Sequence, residues 1–512
     1  MQPPLDTPAE ITFHPAWGDA TTPFIHTWAP LANIDQFRWL ARADVQQQLV
    51  LARDELGIRH VRAAAMFSPE MVVWEHDLTD WRLPESERQK RANWQMIDLS
   101  IEAILALGLK PIYTTCFTPV GMTDDPTTCW PDKNATGLPR DLDQWKSFVS
   151  SGIQHCIDRY GLEEVRSWYF ECWNEPNLKG CFFGGTMEEF FHLWSATWHA
   201  VKTVDSQLRF GGPSTARGEW MPEFLDWTAK DGTAPDYLIT HVYNNDSDSA
   251  PSSPFDGPAS HKVKDSPHFA TGIIRGLRRE LDQRGWKGEV HWNEWGRSWF
   301  PYDPIKETAL EAAFIVKTMA ESSQEADGFG FWCLSDIYNQ AGFQSSEFQG
   351  NYGMLSLHGL RKPAWFAHQL LQRLGHQRVP CMGGDELMNA IVTSTNNGGR
   401  ALVYAHPPTS AAPVSVQKIR VHLPADAQDI RLTCLGAEEN NIIASWKALG
   451  APAYPTPEQL GLLRSANTLK DASEKITIEY DYAIFTWKTQ ALPCWNGCYK
   501  PERVIHCSNQ NV

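Results

Sequence analysis

Residues 167–178 read SWYFECWNEPNL, an apolar run that passes directly into an amide, an acid and a proline. The apolar part, 168–172, predicts a short strand, because strands covered on both faces of a parallel sheet are nearly continuous in apolar residues. A second stretch, EVHWNEWG at 289–296, leads from a strand predicted over 290–292 into another Asn-Glu pair. Polar groups directly after buried strands indicate parallel strands whose carboxyl ends meet at one face of the molecule.

Strand candidates alternate with helical stretches over most of the chain, as in βα units around a parallel sheet. The predicted strands cover residues 24–27, 60–64, 111–115, 168–172, 209–212, 237–241, 290–292 and 328–333. Helical periodicity is clear between them: in DVQQQLVLARDELG, Val45, Leu49, Ala52 and Leu56 form one apolar face, which Gly57 ends. Eight such units predict a (β/α)₈ TIM barrel, since the alternative, a doubly wound open sheet, calls for a Gly-rich phosphate loop that is missing here.

The composition changes after residue 375, where strands are predicted over 390–403, 414–423, 430–435 and 476–487 with turn signals between them. This pattern favours a β-sandwich. We therefore predict a catalytic barrel at 16–375, an accessory β-sandwich at 376–490 and a tail at 491–512. The tail holds Cys494, Cys498 and Cys507, but His506 is badly spaced for a fourth zinc ligand, so we predict no metal site.

Charge and composition narrow the class of ligand. The net charge of −16 disfavours nucleic acid and anionic membranes, and the 23 tryptophans suit stacking on neutral sugars, although core packing explains most of them. The N-terminal residues lack the pattern of a signal peptide, and the 11 cysteines are scattered and odd in number. We expect a cytoplasmic protein without cofactor or metal, or a secreted one if a signal peptide has been removed.

Glu175 and Glu294 are the candidate catalytic pair. Each follows an Asn and lies beside Trp at the end of a predicted strand, the fourth and the seventh. Barrel closure brings these strand ends across one pocket, where two carboxyl groups about 5 to 5.5 Å apart perform double displacement at an anomeric carbon. Either residue alone also fits a helix cap or a solvated loop. Together they predict a retaining glycoside hydrolase with Glu175 as acid/base and Glu294 as nucleophile.

The nucleophile and the acid need different surroundings. Arg62, at the end of the second strand, and Tyr243, after the sixth, are placed to keep Glu294 ionised. The alternatives are a barrel-core ion pair for Arg62 and ordinary core packing for Tyr243 and His241.

Glu175 must instead hold a proton near neutral pH. We expect the apolar flank of Trp173 and Phe170, together with the negative charge of Glu294, to raise its pKa. Asn174 is then free to donate to the 2-hydroxyl of the sugar, a contact that strengthens in the transition state.

These motifs resemble glycoside hydrolase family 39, within the clan of retaining (β/α)₈ enzymes. The matching segments are WNEPNL at 173–178, FGGP at 210–213, the His-x-Tyr of His241 and Tyr243, and the Trp-x-x-Ser-Asp that begins at Trp332. The resemblance implies an accessory β-sandwich in which the N-terminal segment, 1–15, takes part. We expect the sugar to contact a set of six residues: Asn174, His241, Tyr243, Arg62, Phe117 and Trp332.

Two departures from the family pattern concern sugar recognition. Family xylosidases carry Arg-Gly-His after strand two, where the His holds a sugar hydroxyl, whereas this chain reads Arg62, Ala63, Ala64. They also carry paired Glu after strand eight, where this chain has Asn339 and Gln340. The resemblance therefore implies conserved catalysis with altered hydroxyl contacts.

The specific prediction is an exo-acting β-xylosidase that releases xylose from the non-reducing end of short xylo-oligosaccharides. Within the family, a β-glucosidase, β-galactosidase or arabinose-releasing enzyme is the alternative, and an α-L-iduronidase is disfavoured because no cluster of cations is evident for a substrate carboxylate. Outside it, a catalytically silent sugar-binding barrel and a metal-dependent hydrolase remain, but both Glu are present and clustered metal ligands are not evident.

Overall fold

The structure is a computed structural model, and it describes residues 9–76, 81–84, 87–248, 268–395, 398–406, 415–425 and 427–489. The tail at 491–512, with its three cysteines and His506, lies outside the described residues, as do residues 1–8.

Eight parallel strands form a nearly closed barrel, in which each strand pairs with the next along the chain. The strands are β1 (Leu31–Gln36), β2 (His60–Ala64), β3 (Lys110–Thr114), β4 (Tyr169–Glu171), β5 (Arg209–Ala216), β6 (Tyr237–Tyr243), β7 (Glu289–Gly296) and β8 (Gly328–Phe331). Asn33 joins β1 to β8. Its side-chain Nδ2 donates to the carbonyl of Gly330 at 3.0 Å, and its backbone carbonyl accepts from the Leu334 N–H at 2.9 Å. The predicted TIM barrel is confirmed.

Eight long helices surround the barrel. They are α1 (Ala43–Leu56), α2 (Gln95–Ala106), α3 (Leu142–Tyr160), α4 (Met187–Val204), α5 (Met221–Asp231), α6 (Phe269–Gln283), α7 (Ala309–Ser322) and α8 (Pro363–Gln372), with a shorter helix at Leu162–Arg166. The predicted face of α1 is buried, and Gly57 ends the helix in the left-handed conformation. A capping box between Thr186 and Glu189 starts α4.

The first barrel strand is not where the apolar pattern places it. Residues 24–27 are irregular, and β1 lies at Leu31–Gln36, the segment LANIDQ. Asn33, Asp35 and Gln36 are polar yet buried. These side chains form hydrogen bonds inside the barrel or at the carboxyl ends of its strands. The strand therefore lacks the run of apolar residues that predicted the other seven.

Two further sheets lie outside the barrel. One runs in the order Cys381–Gly383, Ala9–Pro15, Ser415–His422, Tyr482–Thr489 and Thr477–Glu479. The other runs in the order Gly398–Ala405, Met388–Thr395, Gln377–Arg378 and Thr22–Pro23. Ile11, Phe13, Met388, Ile419 and Val421 form a small core contributed by both sheets.

The prediction of a strand over 430–435 is wrong. This segment forms no strand, and Leu432 exchanges hydrogen bonds with Ser473 and Ala472 instead of with a sheet. Two helices follow, Ile442–Ala448 and Pro457–Ala466, and they pack on Phe348 and Leu360 in the segment between β8 and α8.

Two short hairpins complete the described strands, one of Trp74–His76 with Lys90–Ala92 and one of Thr128–Cys129 with Asn134–Ala135. Within the described part of the chain, none of the helices has the length and apolar character needed to cross a membrane.

Candidate active site

Glu175 and Glu294 lie at the carboxyl ends of β4 and β7, and each is 6% exposed. Glu175 has a φ of 46°, a left-handed conformation that strains a residue with a side chain. Its N–H donates to the carbonyl of Ser214 at 2.8 Å, and its carbonyl accepts from the N–H of Leu178 at 3.0 Å. These two backbone hydrogen bonds stabilise the strained turn, in which the carboxyl group faces His241 at the end of β6.

His241 lies between the two acids. Its Nδ1 is 3.1 Å from Oε1 of Glu175 and 3.5 Å from Oε2 of Glu294, and nearby atoms of the three side chains all lie within 4.8 Å of one another. Burial lowers the pKa of His241 to about 4, so the imidazole is neutral near pH 7. A neutral ring whose Nδ1 faces carboxylates carries its proton there and donates it.

Glu294 has two further donors. The hydroxyl of Tyr243 donates to its Oε1 at 2.8 Å, and Nη1 of Arg62 donates to its Oε2 at 3.1 Å. Both contacts agree with the sequence prediction. The pKa of Glu294 is nevertheless raised, because burial and the neighbouring Glu175 outweigh the lowering effect of His241, Arg62 and Tyr243.

Arg62 joins four side chains at the floor of the site, namely Glu294, Glu171, Asn174 and, at 3.4 Å from its Nη1, Oδ1 of Asn33. Its Nε and Nη2 donate to both oxygens of Glu171, at 2.8 and 3.0 Å, and Nη2 also donates to Oδ1 of Asn174 at 2.7 Å. Since the oxygen of Asn174 is engaged, its amide nitrogen is the atom that can donate to a sugar hydroxyl. The guanidinium, itself 1% exposed, thus orients both Glu294 and Asn174.

Glu171 is a site residue that was not predicted from the sequence. It is fully buried in β4, where it forms the two-point ion pair with Arg62 and accepts from Nδ2 of Asn293 at 3.0 Å. The available signal was an ionisable residue within an apolar strand, because such a residue requires a buried partner.

Burial raises the pKa of Glu175 to about 7, against the lowering effect of Arg62 and Arg217. The apolar flank differs from the prediction in one respect. Phe170 alternates with Glu171 along β4 and packs against Tyr113 and Trp168, so it lies on the opposite face of the strand from the inward-pointing Glu171.

Phe117 follows β3 and Trp332 follows β8, at the carboxyl ends of the barrel strands. Phe117 is fully buried, and its ring lies 5.4 Å from those of Trp130 and Trp173 in edge-to-face contact. Trp332 is 5% exposed and packs in one cluster with Tyr243, Cys333, Tyr338 and Tyr352. Contact of either residue with sugar stays a prediction.

Glu175, His241 and Glu294 are also close enough to hold a metal ion. The guanidinium of Arg62, 3.1 Å from Glu294, already supplies a fixed positive charge beside this trio. A divalent cation would meet that charge at close range, so we interpret the three as a proton-transfer and nucleophile group.

A (β/α)₈ barrel with two facing carboxyl groups after strands four and seven defines a class, the barrel glycoside hydrolases. The model of the glycosyl hydrolases family 39 matches residues 19–479, and the chain belongs to this family.

The chain is similar to characterised relatives over most of its length. It is 30% identical over 490 residues to a β-xylosidase of Caldicellulosiruptor saccharolyticus, covering 92% of this chain and 95% of that protein. The crystal structure of a monomeric β-xylosidase from Caulobacter crescentus superposes with a TM-score of 0.75 at 26% identity, covering 94% of this chain and 97% of that one. Human α-L-iduronidase is 24% identical over 374 residues, which covers 63% of this chain and 55% of that protein.

Proposed function

We propose that this glycoside hydrolase is an exo-acting, retaining β-xylosidase that releases xylose from the non-reducing end of short xylo-oligosaccharides. The observation that carries the proposal is the trio at the ends of β4, β6 and β7, in which His241 bridges two buried carboxyl groups at 3.1 and 3.5 Å. Carboxyl groups this close leave no room for a water between nucleophile and sugar, which favours double displacement over inversion.

In the first step Glu294 attacks the anomeric carbon while Glu175 gives its proton to the leaving oxygen. The new bond joins a Glu294 oxygen to the sugar, and the glycosidic bond breaks to release an alcohol. Tyr243 and Arg62 hold the attacking carboxylate in place, and the amide nitrogen of Asn174 donates to the 2-hydroxyl. Glu175 suits the acid role because burial holds its pKa near 7.

In the second step the deprotonated Glu175 takes a proton from water as the water oxygen attacks the same anomeric carbon. The ester bond to Glu294 breaks, and xylose leaves with its original anomeric configuration. The loss of the negative charge on Glu294 during the first step lowers the pKa of Glu175, which allows it to change from acid to base.

Exo action is supported by burial of the catalytic pair. Glu175 and Glu294 are each 6% exposed within the described residues, at the carboxyl ends of the barrel strands. A chain end reaches such a position more readily than the middle of a long polysaccharide.

A panel of nitrophenyl glycosides tests the proposal, with the anomer of the first product followed by NMR. We expect hydrolysis of the β-xyloside and initial release of β-xylose. Glu294→Ala should abolish turnover with the fold intact, because it removes the acceptor of the covalent intermediate. Retention of more than a few per cent of activity would assign the nucleophile to another residue.

Glu175→Ala separates the acid from the nucleophile. This variant should lose far more activity on substrates with poor leaving groups than on activated aryl glycosides, and azide should partly restore the latter. Equal loss on both kinds of substrate would show that Glu175 is not the acid.

A second glycone specificity within the family is the alternative, and Ala64, Asn339 and Gln340 are the observation in its favour. If arabinosides, galactosides or glucosides are cleaved faster than the xyloside, this alternative replaces the xylosidase assignment and leaves the mechanism unchanged.

A further inference from the structure

Ala64 is the last residue of β2, and its methyl side chain leaves the polar groups at this end of the strand to its neighbours. Ala64 pairs in register with Gln36, the last residue of the neighbouring strand β1. Side chains at paired positions of adjacent strands project to the same face, so the Gln36 carboxamide lies next to the small Ala64 side chain. Gln36 is fully buried.

Gln36 has an incomplete set of hydrogen bonds. Its Nε2 donates to Oδ1 of Asn339 at 3.1 Å and lies 3.4 Å from Oδ1 of Asp132. Its Oε1 is buried and has no hydrogen-bond partner among the described residues. An unmatched buried acceptor is unfavourable, so a ligand that donates a hydrogen bond here gains affinity.

Asp132 adds a carboxylate beside the Gln36 side chain. It follows Trp130 in the loop after β3, and its Oδ2 accepts from Nδ2 of Asn134 at 3.0 Å. Trp130 packs on Phe117, which in turn packs on Trp173 beside the acid/base turn. Asp132 is partly exposed, so one edge of its carboxylate can meet a ligand.

Asn339 is held in place from below. Its backbone N–H donates to Oδ2 of Asp35 at 2.9 Å, and the same oxygen accepts from Nε1 of Trp39 at 3.1 Å. Because Oδ1 of Asn339 accepts from Gln36, its amide nitrogen is the group left to donate to a ligand. The end of β1 and the loops after β3 and β8 thus place one acceptor, one carboxylate and one donor on the catalytic face of the barrel.

We propose that Gln36, Asp132 and Asn339 bind the ring hydroxyls of the sugar whose glycosidic bond is cleaved. The proposal rests on the proposed function, which puts the anomeric carbon between Glu175 and Glu294 and the 2-hydroxyl at Asn174. The hydroxyls at C3 and C4 are then the ones directed toward the three residues. Oε1 of Gln36 and the carboxylate of Asp132 accept hydrogen bonds from these hydroxyls, and the amide nitrogen of Asn339 donates a hydrogen bond to one of their oxygens.

The three residues together offer one negative charge, since Asp132 is a carboxylate and Gln36 and Asn339 are amides. The expected substrate is a neutral pyranoside with free hydroxyls at C3 and C4. Asp132, Gln36 and Asn339 are then specificity residues, and the chemistry at Glu175 and Glu294 does not depend on them.

Asp132→Asn and Gln36→Met test the proposal, with kcat/KM measured on an aryl β-xyloside and on its 3-deoxy and 4-deoxy analogues. We expect each variant to lose about 10- to 100-fold on the full substrate, the range of one lost hydrogen bond to a charged or buried group. At least one deoxy analogue should show a much smaller loss, because the contact is already absent there. Asp124→Asn is the matched control, since it removes the same charge from the same loop at an exposed ion pair with Arg140.

The outcomes separate the two proposals. If the wild type is active and Glu294→Ala is not, but Asp132→Asn keeps its kcat/KM on every substrate, the hydroxyl-binding proposal is overturned and the proposed function stands. Equal losses on full and deoxy substrates overturn it too, because they show a structural effect. Asp132→Asn is isosteric and partly exposed, so it decides the matter even if the buried Gln36→Met fails to fold.

If the wild type cleaves no glycoside of the panel, the proposed function fails, and binding decides the inference. Xylose, glucose, galactose and arabinose are then titrated against tryptophan fluorescence. At least tenfold weaker binding of one sugar by Asp132→Asn than by Asp124→Asn supports the hydroxyl site. Equal binding by the two variants, or no binding by the wild type, overturns it.

Discussion

Glu175 and Glu294 differ in their donors more than in their burial. Glu294 accepts from a phenol and a guanidinium, whereas the hydrogen bond described for the Glu175 carboxyl comes from the neutral His241. A carboxylate with charged and neutral donors keeps its negative charge at less cost than one facing a single imidazole. This asymmetry assigns the proton of the pair to Glu175.

The pH dependence of kcat/KM should show this assignment. Glu175 must be protonated to act as the acid, and its pKa is near 7, so kcat/KM should fall as pH rises through about 7. In Glu175→Gln, residual cleavage of a dinitrophenyl glycoside needs no acid, so it should lack this basic limb. Persistence of the limb in Glu175→Gln would trace it to another group.

Tyr243→Phe should isolate the phenol contact to Glu294. The ring stays and the fold is kept, but a hydrogen bond to a charged group, worth about 1.5 to 3 kcal/mol, is lost. We expect kcat/KM to fall about 10- to 100-fold. Tyr160→Phe makes the same change at a phenol that bonds Asp98 in the outer helices, and it should match the wild type. Similar rates for the two variants would contradict the role of Tyr243.

Site residues that directly follow an apolar strand can be predicted from the sequence. Site residues whose partners lie far away in the sequence cannot, because only closure of the barrel brings the partners together. Glu175 and Glu294 carry a local signal, an acid directly after an apolar run. Gln36 and Glu171 do not, because their partners come from other strands, at Asn339 and Arg62. Only the three-dimensional pairing of strands shows why polar groups are tolerated there.

At the scale of elements, buried polar residues also explain why the first strand was predicted in the wrong place. Seven predicted strands overlap the observed ones because their interiors are apolar, while LANIDQ carries three buried polar side chains and reads as a loop. The helix at Pro457–Ala466 was missed for a different reason. Thr456 and Gln459 form a capping box at its start. This helix signal is present in the sequence, but the prediction of a β-sandwich over 376–490 did not take it into account.

Thr456→Ala should weaken this helix. The Thr456 hydroxyl accepts from the Gln459 N–H, and loss of such a cap costs about 0.5 to 2 kcal/mol. The helix packs through Leu463 against Phe348 and Leu360, so we expect a lower midpoint of chemical unfolding with little change in kcat. Ser465→Ala removes an exposed hydroxyl from the same helix and serves as control. Equal midpoints for the two variants would show that the cap contributes nothing.

At the scale of the whole molecule, the strand Ala9–Pro15 pairs with strands that follow the barrel in the sequence. Ala9–Pro15 lies inside the five-stranded sheet, parallel to Ser415–His422 and antiparallel to Cys381–Gly383. These pairings span nearly the full sequence, so the sheet forms after the barrel residues between its strands have been synthesised. The large core of the barrel also takes in Ile391 and Tyr404 of the four-stranded sheet, whereas the five-stranded sheet packs mainly on the small core that the two sheets share.

Phe13→Ala should therefore destabilise the five-stranded sheet before the barrel. Phe13 is 1% exposed in a core shared with Ile11, Met388 and Ile419, and truncation of a buried Phe costs about 3 to 5 kcal/mol. We expect a new unfolding transition at lower temperature in calorimetry, with glycosidase activity kept below it because the active site draws on barrel residues alone. Thr12→Ala, at the adjacent and less buried position on the opposite face, should melt like the wild type. A single transition in Phe13→Ala, with activity lost in parallel, would show instead that barrel and outer sheets unfold as one cooperative unit.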